Sequence, residues 1–176
     1  MNMRITGFLA SLVCAGAIVA AQAQVTKESV PGIVNFAKVE TTVACAGATT
    51  PAALAEVKRM GYASVINLRQ ASEPGADIGA SAAAAKAAGL NYIHIPFNTA
   101  SPDPTAVDTF LKAVTDKANQ PAFIHCASAN RAAALWMVKR IAVDKWDVER
   151  ASTEATALGL TSPALKAFAI EQAQKR

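Results

Sequence analysis

The chain has 176 residues, 52% of them hydrophobic, with 17 lysines and arginines against 13 acidic residues and a formal net charge of +4. That is enough apolar material for one domain with a real core, and the charge shows no lysine and arginine cluster of the kind that binds nucleic acid. With no CxxC, HExxH or histidine-rich tract, and with His94 and His125 as the only histidines, neither a metal site nor a cofactor is expected.

In chain order, "MNMR" is a positive start, "ITGFLASLVCAGAIVA" an apolar run, and Ala21-Gln22-Ala23 a small-x-small site. This layout predicts a secretory signal peptide over residues 1–23, cleaved before Gln24, and a periplasmic or secreted product. The apolar run is short for a spanning helix and no stop-transfer pattern follows, so no stable membrane insertion is expected after processing. Val13, directly before Cys14, is not the small residue a lipoprotein signal wants. Cleavage removes Arg4 and no acidic residue, which takes the charge from +4 to +3. A mildly basic product of this kind suits an anionic substrate. Cys45 and Cys126 remain, too few for a disulfide framework.

Residues 24–40 lack periodicity and read as an N-terminal arm or short edge segment of a single domain spanning 24–176. "TTVACAG" then predicts a short strand, and "TPAALAEVKRMG" a helix with Thr50 as N-cap, Pro51 at N1 and Gly61 at its end. "YASVINLR" is an apolar, β-branched strand, "DIGASAAAAKAAG" an alanine-rich helix closed by Gly89, and "LNYIHIPF" the next strand. A helix opened by Asp103-Pro104 follows, then the strand "PAFIHC" and the helix "RAAALWMVKRIA". Helices starting at Asp147 and at Ser162-Pro163 close the chain. Strands alternating with helices predict an α/β fold: a single, mostly parallel sheet flanked by helices on both faces. The helix after Arg131 is apolar around most of its circumference and should be central.

Ligands of open α/β sheets bind beyond the carboxyl ends of the strands. Cys126 sits at such an end, and the following helix points its N-terminus at the same place. Ala127, Ser128, Ala129 and Asn130 are small, so their backbone N–H groups can converge on one anion. Asn130 is the residue expected to take a left-handed conformation in that nest. The helix dipole and amides favour a thiolate, and Arg131 brings a planar fork that grips two oxygens of a tetrahedral oxyanion. As a plain surface residue, an arginine at a helix start would only oppose the dipole. Cys126 and Arg131 are therefore the expected catalytic pair, and residues 127–131 the phosphate-binding loop.

"HCASANR" after a strand, with "GYASVINLR" and "GLNYIHIPF" upstream, resembles the cysteine-dependent protein tyrosine and dual-specificity phosphatase superfamily. More closely, the chain is similar to the bacterial beta-lactamase hydrolase-like phosphatase branch, from about Val34 to Phe168. That resemblance implies a tyrosine-phosphatase-like fold, a phosphocysteine formed on Cys126, phosphoryl oxygens bound by Arg131, and a loop oriented by hydrogen bonds from His125. It implies nothing about β-lactam chemistry, for which no S-x-x-K motif is present. The pattern departs from the superfamily in three ways. Four residues, not five, separate the cysteine from the arginine, as is often so in this branch; Ala129 replaces the loop glycine; and Ala132 replaces the hydroxyl residue after the arginine. Asn98 stands about where the general-acid aspartate belongs and cannot donate a carboxylic proton. Asp103 is the remaining candidate acid, and N-cap of the next helix is the reading its Pro104 favours.

The leading expectation is thus an exported phosphatase of a phosphorylated small molecule or phosphoprotein, working through a phosphocysteine. Two alternatives stand beside it: a rhodanese-type sulfurtransferase, whose cysteine loop has the same length, and an anion-binding module with weak turnover. Arg69 is expected either at the site rim or in a surface pair with Glu73. His94 is read as a hydrogen-bonded core histidine, Trp136 as core, and Trp146 as packing at a helix start. Cys45 is expected to be a plain buried thiol, too far from Cys126 to bridge it.

Overall fold

The computed structural model describes residues 25–39 and 41–176; the expected signal peptide lies outside them. Six strands form one sheet: β1 (Val25–Lys27), β2 (Ala37–Val39), β3 (Val43–Ala46), β4 (Ser64–Asn67), β5 (Asn91–His94) and β6 (Ala122–His125). Their order is β1-β2-β3-β6-β4-β5. β3, β6, β4 and β5 run parallel, while β2 pairs antiparallel with β3 and β1 antiparallel with β2. The expected parallel α/β sheet is present, and the N-terminal segment read as an arm adds two antiparallel strands to its edge. That pairing is non-local, so the segment's own weak periodicity does not announce it.

The helices are α1 (Leu54–Arg59), α2 (Ile78–Ala87), α3 (Pro104–Thr115), α4 (Asn130–Ala142), α5 (Val148–Leu158) and α6 (Pro163–Gln174). Residues Pro51–Ala53 form a 3-10 turn ahead of α1, and Thr50 makes no side-chain cap bond. Asp77, Asp103, Asp147 and Ser162 do cap, each accepting from a backbone N–H two or three residues on. α1 and α2 cover one sheet face around Phe36, Val65 and Phe123. The other face is filled by α3 to α6 around Ile66, Ile124 and Phe110. α4 is buried along almost its whole length. It is the central helix the sequence predicts, and its position brings the end of β6 to the heart of the molecule.

His94 does not sit in the core. It ends the edge strand β5 and is exposed, with its Nε2 2.7 Å from the Arg69 carbonyl. Trp136 is buried and donates to Glu154 Oε1 at 2.7 Å, and Trp146 stacks against the Arg140 and Arg150 guanidinium groups.

Candidate active site

β6 ends at His125, and Cys126 continues it, donating its N–H to the Ala46 carbonyl at 3.1 Å. The chain then turns through Ala127, Ser128 and Ala129 into α4. The Ala127 carbonyl accepts from Ala48 N–H at 2.9 Å, and the Ser128 carbonyl from Asn35 Nδ2 at 3.4 Å. Loop carbonyls are thus pulled toward the segment around β3. An isolated antiparallel bridge between Gly47 and Ser128 ties the loop to the end of β3 and engages the Ala129 amide, while the amides of Ala127 and Ser128 donate to no backbone group among the described residues. Unpaired amides just ahead of a helix N-terminus are the groups from which an anion nest is built. Beside the loop, Lys27, Asn35, Phe36, Ser128 and Thr161 help line a cleft of about 770 Å³.

Asn130 is not the left-handed residue. Ala129 is, at φ 75°, and Asn130 is already helical. The left-handed turn therefore falls on the position where the superfamily has glycine, and an alanine carries it. The Asn130 side chain instead ties the loop to the turn between α5 and α6, its Oδ1 accepting from Thr161 N–H at 2.7 Å and Ser162 N–H at 2.9 Å.

Arg131 is buried and lies against the thiol. Its Nη1 donates to the carbonyls of Leu68 and Phe97 at 3.1 and 3.0 Å. Glu73 meets it end-on, Oε1 to Nη1 at 2.5 Å and Oε2 to Nη2 at 2.7 Å. Burial works against the guanidinium's charge, and Glu73 together with the neighbouring Cys126 sulfur more than offsets it. An end-on carboxylate occupies the tip of the fork. The side-on edge, Nε–H and the second Nη2 hydrogen, makes no bond to Glu73; beside the Cys126 sulfur, it is the edge that can grip two oxygens of a tetrahedral anion.

Glu73 is the residue that sequence reasoning missed. The sequence offers it only as a surface partner of Arg69, the alternative to Arg69 at the site rim, and the pair exists: Arg69 Nε donates to Glu73 Oε2 at 3.2 Å. Neither partner is a surface residue, however. Arg69 is buried and spends its other donors on the Pro74 and Gly75 carbonyls at 2.6 and 3.0 Å, bracing the loop that carries Glu73. Gln70 N–H also donates to Glu73 Oε1 at 2.8 Å. Burial alone would raise the Glu73 carboxyl; the bonds from Arg131, Gln70 and Arg69 and the Arg131 charge bring it down to about 2. The available signal is the arginine at the end of "VINLR" with an acid four residues on, both on the carboxyl edge of the sheet.

His125 donates no orienting bond. Both ring nitrogens are buried without a hydrogen-bond partner among the described residues, and the ring stacks on Phe123 with centroids 5.8 Å apart. Burial first, then the charge of Arg69, holds it near 3, against a smaller opposing pull from the Cys126 backbone. It is a neutral ring in the face opposite the loop. Asp103 caps α3 through Thr105 N–H and Oγ1 at 2.8 and 2.6 Å, bonds that lower its carboxyl. Asn98 Oδ1 accepts from Ala100 N–H at 2.9 Å. Cys45 lies in the strand beside β6, in register with Ile124, and is unlinked and buried. Burial, then the charge of Cys126, raises its thiol well above the usual range.

A parallel sheet whose central strand ends in Cys126, a nest of amides and an arginine at a helix start defines the cysteine-dependent tyrosine and dual-specificity phosphatase class. Within it, residues 35–143 match the family described as "Beta-lactamase hydrolase-like protein, phosphatase-like domain", and the chain belongs to that family. No curated protein matches the chain. Among solved structures, a DUF442 protein from Shewanella putrefaciens CN-32 aligns over 82% of this chain and 94% of its own, at 21% identity and a TM-score of 0.68. P. aeruginosa TpbA aligns over 85% and 89%, at 18% identity and a TM-score of 0.64. The core catalytic domain of the PP-IP phosphatase SIW14 from S. cerevisiae aligns over 81% and 87%, at 18% identity and a TM-score of 0.67. At such identities the likeness is one of fold.

Proposed function

We propose that this chain is an exported phosphatase of phosphomonoesters that works through a phosphocysteine on Cys126. One observation carries the reading: Cys126, buried at the end of β6, lies against Arg131 at the start of α4, with the unpaired amides of Ala127 and Ser128 in the same turn and Glu73 holding the tip of the Arg131 fork. In the first step the Cys126 thiolate attacks phosphorus, an S–P bond forms, and the ester P–O bond breaks. Charge building on the equatorial oxygens meets the nest and Arg131. In the second step water bonds to phosphorus and loses a proton to solvent, and the S–P bond breaks to release inorganic phosphate and the thiolate. TpbA is known in complex with pTyr, and a phosphorylated small molecule or phosphoprotein is the substrate class proposed here.

Leaving-group protonation is the weak part of this machinery. Asp103 is engaged as an N-cap and Asn98 in its own turn. The enzyme should therefore favour leaving groups that need no acid, aryl phosphates over alkyl phosphates. The same observation favours a second reading, an anion-binding module with little turnover. The test is turnover by the mature protein, under reductant, of an aryl phosphate against thiosulfate plus cyanide. Phosphate release that vanishes in Cys126→Ser supports the phosphatase. Thiocyanate release would replace it with a sulfurtransferase, and phosphate binding without turnover would leave the binding module. Export rests on the pattern of residues 1–23, and a secreted or periplasmic product beginning at Gln24 by mass spectrometry checks it.

A further inference from the structure

An alanine at φ 75° in the anion loop is strained, because a Cβ there crowds the following carbonyl. Something outside the loop must hold it. The turn between α5 and α6 approaches the loop at two points. Gly159, itself left-handed at φ 114°, lies so close that a Cβ added to it would come within 3.0 Å of the Ala129 Cβ. Such a contact is tighter than ordinary packing allows without a neighbour giving way by a few tenths of an ångström, so Gly159 leaves room for the Ala129 methyl. Two residues on, Thr161 embraces the Asn130 amide. Its N–H and Oγ1 donate to Asn130 Oδ1 at 2.7 and 3.2 Å, and its Oγ1 accepts from Nδ2 at 3.1 Å. Ser162 adds a third bond to the same oxygen at 2.9 Å and also caps α6, which packs against α4. Nδ2 reaches back to Ser128 Oγ at 3.4 Å, inside the loop.

We propose that the turn Gly159–Ser162 is a positioning element for the anion loop, and that it sets the loop's affinity for a tetrahedral oxyanion. It gives Ala129 its space and Asn130 its bonds, so the amides of Ala127 and Ser128 are held in place before any ligand arrives. Preorganised donors bind an anion better than donors that must first be ordered. The inference deepens the phosphatase reading and rests on it. It also accounts for a loop that lacks the superfamily's glycine: the glycine stands across the contact, at position 159.

The test is calorimetric titration of the full mature protein with inorganic phosphate, well below the melting temperature. Thr161→Val should weaken phosphate binding roughly three- to tenfold, the scale of one or two hydrogen bonds, while Thr161→Ser stays close to wild type. Gly159→Ala should weaken it by about tenfold, and adding Ala129→Gly to that variant should recover most of the loss, a coupling that two independent sites would not show. A variant set that loses melting temperature but binds phosphate as wild type does would overturn the proposal and leave the phosphatase reading standing. Should Gly159→Ala fail to fold, the threonine pair decides. Wild-type protein that binds no phosphate at all would overturn both.

Discussion

Helix α4 begins and ends with an arginine gripped by a glutamate, and the two pairs do different work. At its C-terminal end Arg140 donates Nε and Nη2 to Glu154 at 2.7 and 3.0 Å and Nη1 to Asp144 at 2.9 Å. The guanidinium stacks on Trp136 and Trp146, and Glu154 also accepts the Trp136 N–H. A cation at a helix C-terminus suits the dipole, and every edge of this fork has a partner. That is a finished structural network. At the N-terminal end Arg131 opposes the dipole, and Glu73 takes only the tip of its fork. The side-on edge is left by Glu73 beside the Cys126 sulfur, and the amides of Ala127 and Ser128 donate to no backbone group among the described residues. One residue type in one kind of pair is inert where its donors are used up, and ready for an anion where they are not.

The largest expected effect separates chemistry from folding. Cys126→Ser should remove aryl phosphatase turnover, a loss of at least about a thousandfold, and leave circular dichroism and melting unchanged, because serine stays protonated at neutral pH. In the same comparison, phosphate should raise the melting temperature of wild type and of Arg140→Lys, but not appreciably of Arg131→Lys. Lysine keeps the charge and loses the bidentate edge. Equal shifts in all three proteins would end the distinction between the two ends of α4.

Removing the acidic partners should break both pairs at a similar cost. Glu73→Ala and Glu154→Ala each leave a poorly solvated guanidinium without its carboxylate, which should cost about 3 kcal/mol in denaturant unfolding. Only Glu73→Ala should also weaken phosphate binding. If Glu154→Ala weakens it equally, the pairs are not different in kind.

Acid should act on the Arg131 end. The Glu73 carboxyl is held at about 2 against an ordinary value of 4.5. An unfolded chain therefore takes up a proton there first, and the stabilisation is full above pH 4.5 and disappears as pH falls toward 2. The amount is on the order of 2 to 3 kcal/mol. Stability measured against pH should be flatter in that window for Glu73→Gln. The slope at higher pH should persist in that variant, since His125, depressed from 6.5 to about 3, begins to cost stability below pH 6.5. A wild-type slope below pH 4.5 in Glu73→Gln would show that the pair is not its source.

The smallest effect concerns Ala129. Ala129→Gly relieves the left-handed backbone and should raise stability by up to about 1 kcal/mol, offset in part by glycine's greater freedom when unfolded. A clear loss of stability would mean that the methyl's packing against Gly159 outweighs the strain.

What was legible in the sequence was what depends on neighbours along the chain. A β-branched run, small residues and an apolar helix place Cys126, the nest and Arg131 together within six consecutive positions, because a strand, a turn and a helix start are local structures. The helix starts at Asp103, Asp147 and Ser162 are readable for the same reason, while Thr50, read the same way, makes no side-chain cap bond. The left-handed residue was misassigned by one position, since asparagine's local tolerance favours Asn130 while packing against Gly159 admits Ala129. His94 was misplaced because a strand's position in the sheet, edge or centre, is not encoded within the strand.

Tertiary structure alone decided who stands around that loop. Glu73 reaches Arg131 because β4 lies directly beside β6 in the sheet, although 58 positions separate the two residues in sequence. The N-terminal strands, the turn at Gly159 and the register of Cys45 opposite Ile124 were settled in the same way. Chain order specifies which groups can follow one another through a strand, a turn and a helix. Which groups meet across the sheet depends on strand order and helix packing, where many weak contacts are satisfied together and no single segment carries the answer.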